Sequence, residues 1–362
     1  MNFTNLLIEW YLQKKRDLPW RNTTNPYPIW LSEIILQQTR VAQGMPYFYA
    51  FLESFPTVKE LAIADEQQVL KLWQGLGYYS RARNLHQTAQ YIANELDGVF
   101  PNSYAGLIQL KGIGEYTAAA IASFAYNEPV PVVDGNVFRV VSRYFGIESD
   151  ISTGKTKKEF TALAAELLSK EQPALFNQAI MEFGAMHCTP KNPDCENCIF
   201  NSSCVALQKG LVGQLPFKSK KIKIRKRYFN YIVLQDKKGN TKIQQRTDKG
   251  IWHNLYEFPL FETTQEEGFE TIAPLIKNDT DFGDSVVSIQ EANPISLIHK
   301  LSHQHLYIKF WKVTVNNTLT DGVNPEQLRT FPFPIVIHNF IEEDATKKSY
   351  KKCIFDQNTI KL

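Results

Sequence analysis

Four of the five cysteines lie within 17 residues, in the stretch CTPKNPDCENCIFNSSC. They are Cys188, Cys195, Cys198 and Cys204, and their spacing is C-x6-C-x2-C-x5-C. Two disulfides are not expected in a chain whose start does not resemble an export signal. Four thiolates in so short a loop can complete the coordination of one metal centre. The spacing alone leaves zinc, the commoner choice, and an iron–sulfur cluster both open.

Two carboxylates, Glu33 and Asp134, stand in sequence surroundings that suit chemistry. Glu33 lies in WLSEIILQQT, among tryptophan, leucine and isoleucine. On a helix it could instead share a solvated face with Gln37 and Arg40. Asp134 lies in PVVDGNVFRV, where a valine pair ends and a helix could begin. An aspartate at this place can cap the helix, and a cap is compatible with catalysis because both need a carboxylate fixed at a helix start.

A glycine-rich turn offers a place for phosphate. Residues 107–126, LIQLKGIGEYTAAAIASFAY, are two helical stretches joined by Gly112, Ile113 and Gly114. The second stretch would point free backbone N–H groups outward, as phosphate-binding helix starts do. In isolation, a plain helix–helix corner explains the same glycines.

The elements that must position these residues form two domains. Periodic apolar stretches separated by short glycine and proline breaks predict an all-α domain over residues 1–212, followed by a linker over residues 213–227. After it, RYFNYIVLQD, KKGNTKIQQRTD and HLYIKFWKVTV predict strands, and TIAPLIKN predicts a helix. The sequence therefore predicts a smaller α+β domain over residues 228–362.

Charge and composition restrict the class of protein. Hydrophobic residues make up 43% and charged residues 21% of the 362, which is typical of a globular chain. No apolar run approaches the ~18 residues of a membrane helix, so no membrane partner is expected. The basic cluster near the start follows the apolar part, the reverse of a signal peptide, and this predicts a cytoplasmic location.

A basic run marks the linker. Residues 1–212 carry a net charge of −2 and residues 213–362 a net charge of +5. KSKKIKIRKR, Lys218–Arg227, holds seven bases and no acid. Such a run can hold phosphates, or it can be a linker and the solvated face of a strand.

Taken together, these motifs resemble a known family. LKGIGEYTAAA, VDGNVFRV and the cysteine loop, in this order, are similar to the endonuclease III superfamily of helix-hairpin-helix DNA glycosylases. Within it, LPWR, WLSEIILQQTRV and GLGYYSRARNL resemble the adenine DNA glycosylases of the MutY family. The resemblance is dense over residues 10–210 and weaker in the second domain. It implies base-excision repair, in which adenine mispaired with 8-oxoguanine or G in duplex DNA is hydrolysed from its sugar.

The resemblance implies roles for four residues in the chemistry. The family's general acid falls on Glu33, which protonates adenine; if buried, this residue would have a raised pKa and could hold a proton near neutral pH. The family's stabilising carboxylate falls on Asp134, beneath the oxocarbenium-like sugar. Tyr116 and Asn136 fall on positions that orient the two acids. Strand-cutting relatives carry a lysine where this chain has Tyr116, so the resemblance implies a chiefly monofunctional enzyme.

The resemblance also implies how the chain holds DNA and its cofactor. Wedge side chains fill the gap left by the flipped base. The DNA-contacting positions implied by the family match are Arg21, Gln38, Leu76, Tyr78, Gly112, Gly114 and Lys191. For the cysteine loop the family implies one 4Fe–4S cluster over residues 188–204, in place of zinc.

The second domain resembles the family's Nudix-like domain, which recognises 8-oxoguanine. The family carries a Phe-Ser-His reader where this chain has Leu301, Ser302 and His303, so the aromatic is missing and the two polar groups remain. A polar hairpin with surface histidines is the plainer interpretation. FETTQEEGFETIAPL lacks the arginine and glutamate spacing that a working Nudix enzyme needs for magnesium, so nucleotide hydrolysis is not expected.

Three other functions remain to be compared. One is an endonuclease III-like glycosylase/lyase for oxidised pyrimidines, which Tyr116 disfavours. Another is a non-enzymatic iron–sulfur DNA-binding module, which would not need Glu33 and Asp134. The third is a Nudix enzyme of the nucleotide pool. The favoured interpretation is a monomeric glycosylase that acts on duplex DNA at the nucleoid.

Overall fold

The chain folds into two compact units. A computed structural model describes residues 2–219 and 223–344. The first unit comprises Met1–Ala64 and Arg83–Lys221, and the second comprises Asp65–Ala82 and Ile222–Leu362. The predicted order, a helical unit followed by an α+β unit, is confirmed.

One segment departs from the predicted division. The sequence interpretation kept residues 65–82 in the helical domain, whereas they group with the second unit. Hydrogen bonds hold them there: Gln67 Nε2 donates to Tyr256 Oη at 2.7 Å, and Asn254 Nδ2 donates to Glu66 Oε1 at 2.6 Å. These partners are nearly 190 positions apart in the chain, so the local pattern of residues 65–82 could not reveal them.

Helices dominate the first 208 residues. They are α1 (Phe3–Lys14), α2 (Pro26–Leu36), α3 (Val41–Ser54), α4 (Val58–Ile63), α5 (Glu66–Leu72), α6 (Ser80–Glu95), α7 (Tyr104–Leu107), α8 (Glu115–Tyr126), α9 (Gly135–Phe145), α10 (Gly154–Leu167), α11 (Pro173–Met186) and α12 (Val205–Gln208). A short 3-10 turn covers Pro19–Arg21.

Helices α1, α9, α10 and α11 share an apolar core in the first unit. Its fully or nearly fully buried side chains include Leu7, Tyr11, Val137, Val141, Phe160, Phe176, Ile180 and Phe183. Burying each large apolar side chain contributes about 1.5–3 kcal/mol relative to leaving it exposed. The core therefore holds α9, which begins directly after Asp134, in a fixed place against α11.

Local signals define the two helix starts that matter for the site. Asn25 caps α2, since its Oδ1 accepts from Tyr27 N at 3.0 Å, and Pro26 occupies the first helical position. Asp134 caps α9 in the same way. Both helices consequently begin at a defined residue, which sets the positions of the side chains that follow.

A five-stranded sheet forms the centre of the second unit. Its elements are β1 (Arg225–Gln235), β2 (Gln244–Gln245), β3 (Tyr256–Glu257), β4 (Leu260–Thr263), α13 (Phe269–Lys277), β5 (Val286–Glu291), β6 (Leu297–Lys300), β7 (Gln304–Val315) and α14 (Pro325–Leu328). The strand order is β4-β1-β7-β5, and β6 also pairs with β7. Strands β1 and β7 run parallel, and their other neighbours in this sheet are antiparallel.

The strand after the turn at residues 238–240 is shorter than the sequence suggested. The stretch KKGNTKIQQRTD supplies only β2, two residues long, and β2 pairs with β3. Strand β1 pairs with β4 and β7, which lie far along the chain. The helix predicted at TIAPLIKN is α13, and HLYIKFWKVTV lies within β7.

The predicted linker over residues 213–227 needs one correction. Arg225, Lys226 and Arg227 are the first residues of β1, because they pair in register with Gln304 and the two residues after it. Residues 220–222 lie outside the described residues. Within the described part of the chain, no helix is both long and apolar enough to cross a bilayer.

Candidate active site and DNA-contact residues

Glu33 lies in a buried position at the wall of a cavity. Helix α2 is buried around most of its circumference, and Glu33 itself is only 7% exposed. The alternative of a solvated helix face is therefore wrong for Glu33. The cavity has a volume of about 610 Å³ and is lined by Glu33, Tyr116, Asp134 and Asn136, among others.

Burial sets the protonation of Glu33. It raises the pKa of Glu33 to about 7, although a hydrogen bond from Tyr116 Oη to Glu33 Oε2 at 2.6 Å opposes the rise. The negative charge of Asp134 acts in the same direction as burial. Glu33 is therefore held close to half-protonated at neutral pH, which is the state that a general acid needs.

Asp134 is both a helix cap and a wall of the same cavity. Its Oδ1 accepts from Asn136 N at 2.9 Å and from Val137 N at 2.8 Å. Its Oδ2 accepts from Asn136 Nδ2 at 2.7 Å. Burial raises the pKa of Asp134, and these hydrogen bonds limit the rise. The carboxylate thus has a fixed orientation and donors that favour its charged form.

Asn136 connects Asp134 to the helix behind it. Asn136 Oδ1 accepts from Arg139 Nη2 at 2.8 Å. Arg139 Nη2 also donates to the Gly184 carbonyl oxygen at 2.7 Å. A side chain at Gly184 would place its Cβ 2.7 Å from Asn136 Cβ, so only glycine permits this approach of α11 to α9. Arg139 and Gly184 were missed by sequence reasoning. The only sequence signal for Gly184 was a glycine inside an otherwise regular helical pattern.

Arg21, predicted to contact DNA, lines the cavity and is paired with a buried acid. Arg21 and Arg16 donate to Glu182 Oε2 at 2.7 Å and 2.6 Å. Burial alone would raise the pKa of Glu182, but the hydrogen bonds from Arg16 and Arg21 outweigh it and lower the pKa to about 2. Glu182 is therefore a permanent anion that holds two guanidinium groups at the cavity. Sequence reasoning missed Glu182 and Arg16.

The structure requires glycine at one of the two predicted hairpin positions and would accept a side chain at the other. Gly112 has φ +77°, and a Cβ there would lie 2.7 Å from Asn84 Cβ, so glycine is required. Gly114 has ordinary backbone angles and open space where its Cβ would be. It precedes α8 without a side-chain cap, which leaves first-turn N–H groups for an outside acceptor such as phosphate.

The predicted wedge residues have unusual backbones. Gln38, in the first unit, is exposed with φ +55°, and Tyr78, in the second unit, is 47% exposed with φ +50°. Non-glycine residues rarely adopt this conformation, and such strain concentrates at functional sites. Leu76 is only 6% exposed, so its side chain faces protein rather than solvent.

The four cysteines lie around one loop between α11 and α12. Each thiol is partly buried. Burial and the neighbouring thiols Cys188, Cys204 and Cys195 together raise the pKa of Cys198 to about 11, although a hydrogen bond from the Phe200 N–H opposes the rise. A cationic centre bound in the loop would favour the thiolate forms. Lys191 is exposed in the same loop.

Thiolate side chains are ligands for both zinc and iron–sulfur clusters, so the donor chemistry of the loop fits a metal centre. Among the described residues, no group of three or more His, Cys, Asp or Glu side chains is arranged to hold one metal ion. An arginine supports the loop, since Arg143 donates to Cys188 Sγ at 3.4 Å and to the Thr189 carbonyl at 2.8 Å.

Ser302 and His303 form the exposed tip between β6 and β7. Ser302 Oγ and His303 Nδ1 are 3.3 Å apart, and Gln304 Nε2 is 3.1 Å from His303 Nε2. The Leu301 N–H donates to the Gln304 carbonyl at 2.8 Å and closes the turn. Both predicted reader groups are thus presented to solvent on a tight turn.

Comparisons with known proteins show the family of the chain. Residues 31–166 match the model of the HhH-GPD superfamily base excision DNA repair proteins, and residues 230–343 match that of the NUDIX domain. The adenine DNA glycosylase of Buchnera aphidicola subsp. Schizaphis graminum is 36% identical over 307 residues, which cover 84% of this chain and 86% of that protein. The chain belongs to the adenine DNA glycosylase family.

Other relatives of this family span several kingdoms. The adenine DNA glycosylase of Homo sapiens is 43% identical over 216 residues, covering 57% of this chain and 40% of that protein. A solved thermostable thymine-DNA glycosylase aligns with TM-score 0.53 and 28% identity, over 57% of this chain and 95% of that one. A trapped endonuclease III–DNA intermediate aligns with TM-score 0.51 and 21% identity, over 58% and 100%, and shares the fold. The chain is accordingly a DNA glycosylase of base-excision repair.

Proposed function

We propose that this glycosylase removes adenine from duplex DNA where adenine stands opposite 8-oxoguanine or G. The observation that carries the proposal is the pair of carboxyl groups in one cavity, Glu33 with a pKa of about 7 and Asp134 held by three donors. Two carboxyl groups with different protonation suit glycoside hydrolysis, in which one protonates the leaving group and the other supports the sugar cation.

The proposed reaction begins after the adenine nucleotide has left the helix and entered the cavity. Protonated Glu33 gives its proton to a ring nitrogen of adenine, and the bond between C1′ and the base breaks, with its electron pair going to the base. The Asp134 carboxylate stabilises the resulting oxocarbenium ion. Water then attacks C1′ and loses a proton to the Glu33 carboxylate. The products are free adenine and an abasic site.

Tyr116 and Asn136 act as positioning residues in this scheme. The Tyr116 hydroxyl fixes one Glu33 oxygen, and the Asn136 amide fixes one Asp134 oxygen. Tyr116 offers no amine, so a Schiff base with the sugar is not expected, and strand cleavage should need added alkali. This separates the proposal from the glycosylase/lyase alternative.

Other residues are proposed to hold the DNA. Gln38 and Tyr78 are proposed wedges, supported by their exposure and strained backbones. Leu76 can join them only if its side chain leaves its buried position. The hairpin glycines at 112 and 114 and the Arg21 and Lys191 side chains complete the proposed contacts to phosphates and the flipped nucleotide.

A 4Fe–4S cluster is proposed for Cys188, Cys195, Cys198 and Cys204, with a structural role. When bound, the cluster would take the four thiolates as its ligands and fix the loop that carries Lys191. Ser302 and His303 are proposed to recognise 8-oxoguanine through hydrogen bonds to its edge. The protein is proposed to act as a monomer. Its proposed location is the cytoplasm, at the nucleoid.

The deciding experiment incubates the full chain with a duplex that has one A opposite 8-oxoguanine, followed by alkali. Cleavage of the A strand at that position, only after alkali, is the expected result. Matched duplexes with C opposite 8-oxoguanine, and with an oxidised pyrimidine in place of A, serve as controls. Cleavage at the oxidised pyrimidine, or strand cutting without alkali, would contradict the proposal.

A further inference from the structure

One end of the sheet in the second unit is not covered by its helix. On this face, Ile232 and Trp311 pack with α13, whose Ile272 and Ile276 complete a buried cluster. Phe269, in the first turn of α13, is 45% exposed and contacts the Trp311 ring with centroids 6.3 Å apart. Because side chains alternate between the two faces of a strand, the residues four and six positions before Ile232 continue the same face beyond the helix.

The uncovered end carries two rows of side chains set by strand register. Tyr228 on β1 lies beside Tyr307 on β7, and their rings stack with centroids 5.1 Å apart. The next row crosses three strands, because Lys226 on β1 and Lys300 on β6 both lie beside His305 on β7. The Lys226 ammonium lies 5.9 Å from the centre of the Tyr307 ring. We call these five residues the open sheet end.

The charge of the open sheet end is positive. Lys226 and Lys300 are both exposed. Glu291, on the neighbouring strand β5, is paired with Lys309 at 2.6 Å. Among the ion pairs of the described residues, none joins Lys226 or Lys300 to a carboxylate.

The alternation of β1 places two neighbouring bases of the basic run on opposite faces of the sheet. Arg227 points to the opposite face, where it pairs with Glu262 at 2.6 Å and lies over the Phe229 ring. Lys226, one residue earlier, points to the open sheet end. Lys226 and Arg227 are therefore not expected to contact the same phosphate.

The open sheet end is continuous with the loop that carries Ser302 and His303. Lys300 is the last residue of β6 and His305 the second residue of β7, so both stand at the base of that loop. A strand of DNA whose base is read by the loop tip brings its neighbouring phosphates close to the loop. Lysines bind phosphates, and aromatic rings beside them offer flat surfaces for nucleotides.

We propose that the open sheet end is a second DNA-contact surface, on which Lys226 and Lys300 bind backbone phosphates of the strand read by the loop, while the Tyr228–Tyr307 stack supports the sugars. The proposal rests on the proposed function of the loop. The phosphate contacts add affinity for DNA that does not depend on its sequence or on base damage, because such contacts carry no base information. Selectivity for 8-oxoguanine stays with Ser302 and His303.

The test uses the full chain with Lys226→Gln and Lys300→Gln together. Binding is measured by fluorescence anisotropy between about 50 and 200 mM salt. One duplex carries 8-oxoguanine opposite a non-cleavable abasic analogue, and the other is undamaged. Each lost phosphate contact should lower the slope of log affinity against log salt by about 0.9, so the double variant should lose about two units on both duplexes.

A matched control replaces Lys237 and Lys238 with Gln. These lysines are exposed in the turn after β1 and belong to the same unit. The control should keep the wild-type slope, and all variants should keep the wild-type circular dichroism spectrum. An equal loss of slope in the control would show a general charge effect and would refute the surface, as would an unchanged slope in the double variant.

Two measurements distinguish a failure of the open sheet end from a failure of the reader loop or of the proposed function. The ratio of excision rates for A opposite 8-oxoguanine and A opposite G should stay as in wild type. A collapse of that ratio would mean that the lysines act through the reader loop, against the proposal. If wild-type protein excises adenine while the slope is unchanged in the double variant, only the open sheet end fails. Absence of wild-type excision would instead remove the proposed function.

Discussion

Glu33→Gln should separate the chemistry of the acid from its cost to stability. Glutamine has nearly the same shape as glutamic acid, and its carbonyl can still accept the hydrogen bond from Tyr116. It cannot give a proton, so excision of adenine should be lost while binding to the mispair remains. The same substitution also removes a group that is buried and ionisable, which makes a second effect measurable without any substrate.

The effect of the Glu33 carboxyl group on folding stability changes with pH in a definite direction. The pKa of Glu33 is raised by burial from 4.5 to about 7, so the folded chain binds this proton more tightly than the unfolded chain. Folding stability therefore falls as pH rises from about 4.5 to 7, and levels off above that. A shift of roughly 2.5 units at 1.36 kcal/mol each gives about 3 kcal/mol of lost stability at pH 8.

Glu33→Gln removes this loss. The variant should exceed wild type in free energy of unfolding by up to about 3 kcal/mol at pH 8, and the difference should approach zero near pH 4.5. Urea unfolding followed by circular dichroism at both pH values measures it. Single-turnover excision by wild type should fall in parallel as pH rises above about 7, because Glu33 loses its proton there.

A conservative control is Glu9→Gln, on α1 outside the cavity. Its stability difference from wild type should not grow between pH 4.5 and pH 8 in the way expected for Glu33. If Glu33→Gln and wild type kept the same difference in stability at both pH values, the carboxyl would not have a raised pKa. If the variant retained substantial single-turnover excision, Glu33 would not be the acid.

Further outcomes follow from the same site. Asp134→Asn should lower single-turnover excision by at least about 100-fold while asparagine keeps the helix cap, whereas a near-normal rate would leave Asp134 as a cap only. Purified protein should contain about four irons per chain with broad visible absorbance, and Cys198→Ser should lose both and unfold more easily. Active, colourless protein with stoichiometric zinc would contradict the cluster. Ser302→Ala with His303→Ala should reduce the preference for A opposite 8-oxoguanine over A opposite G by about 1–3 kcal/mol in single-turnover assays, and full retention of that preference would exclude this loop as the reader.

The position of Asp134 depends on a chain of contacts behind it. Asp134 is held by Asn136, Asn136 by Arg139, and Arg139 by the carbonyl of Gly184. Each contact fixes the next, and the last depends on a glycine that lets α11 approach α9. Positioning of this kind limits the movement of a catalytic carboxylate more than its own cap would.

Local sequence patterns were sufficient for several features. The residues PVVDGNV predicted the cap at Asp134, which the hydrogen bonds to Asn136 and Val137 confirm. The metal-binding role of the four cysteines stays a prediction from their spacing. The two-domain order and the long strand β7 were also predicted correctly. Each of these depends on residues within a few positions of one another, where spacing alone limits what the backbone can do.

Tertiary structure alone decided the rest. Whether Glu33 was a solvated or a buried acid depended on α8, whose Tyr116 lies 83 positions away and meets it at 2.6 Å. The pairing of Arg16 with Glu182 joins residues 166 positions apart, and no local pattern marks it. The basic run was visible in the sequence, but the placement of Lys226 and Arg227 on opposite faces of the sheet required the register of β1 against β7. Burial and long-range partners set the pKa and the direction of a side chain, and both arise only when distant segments pack together.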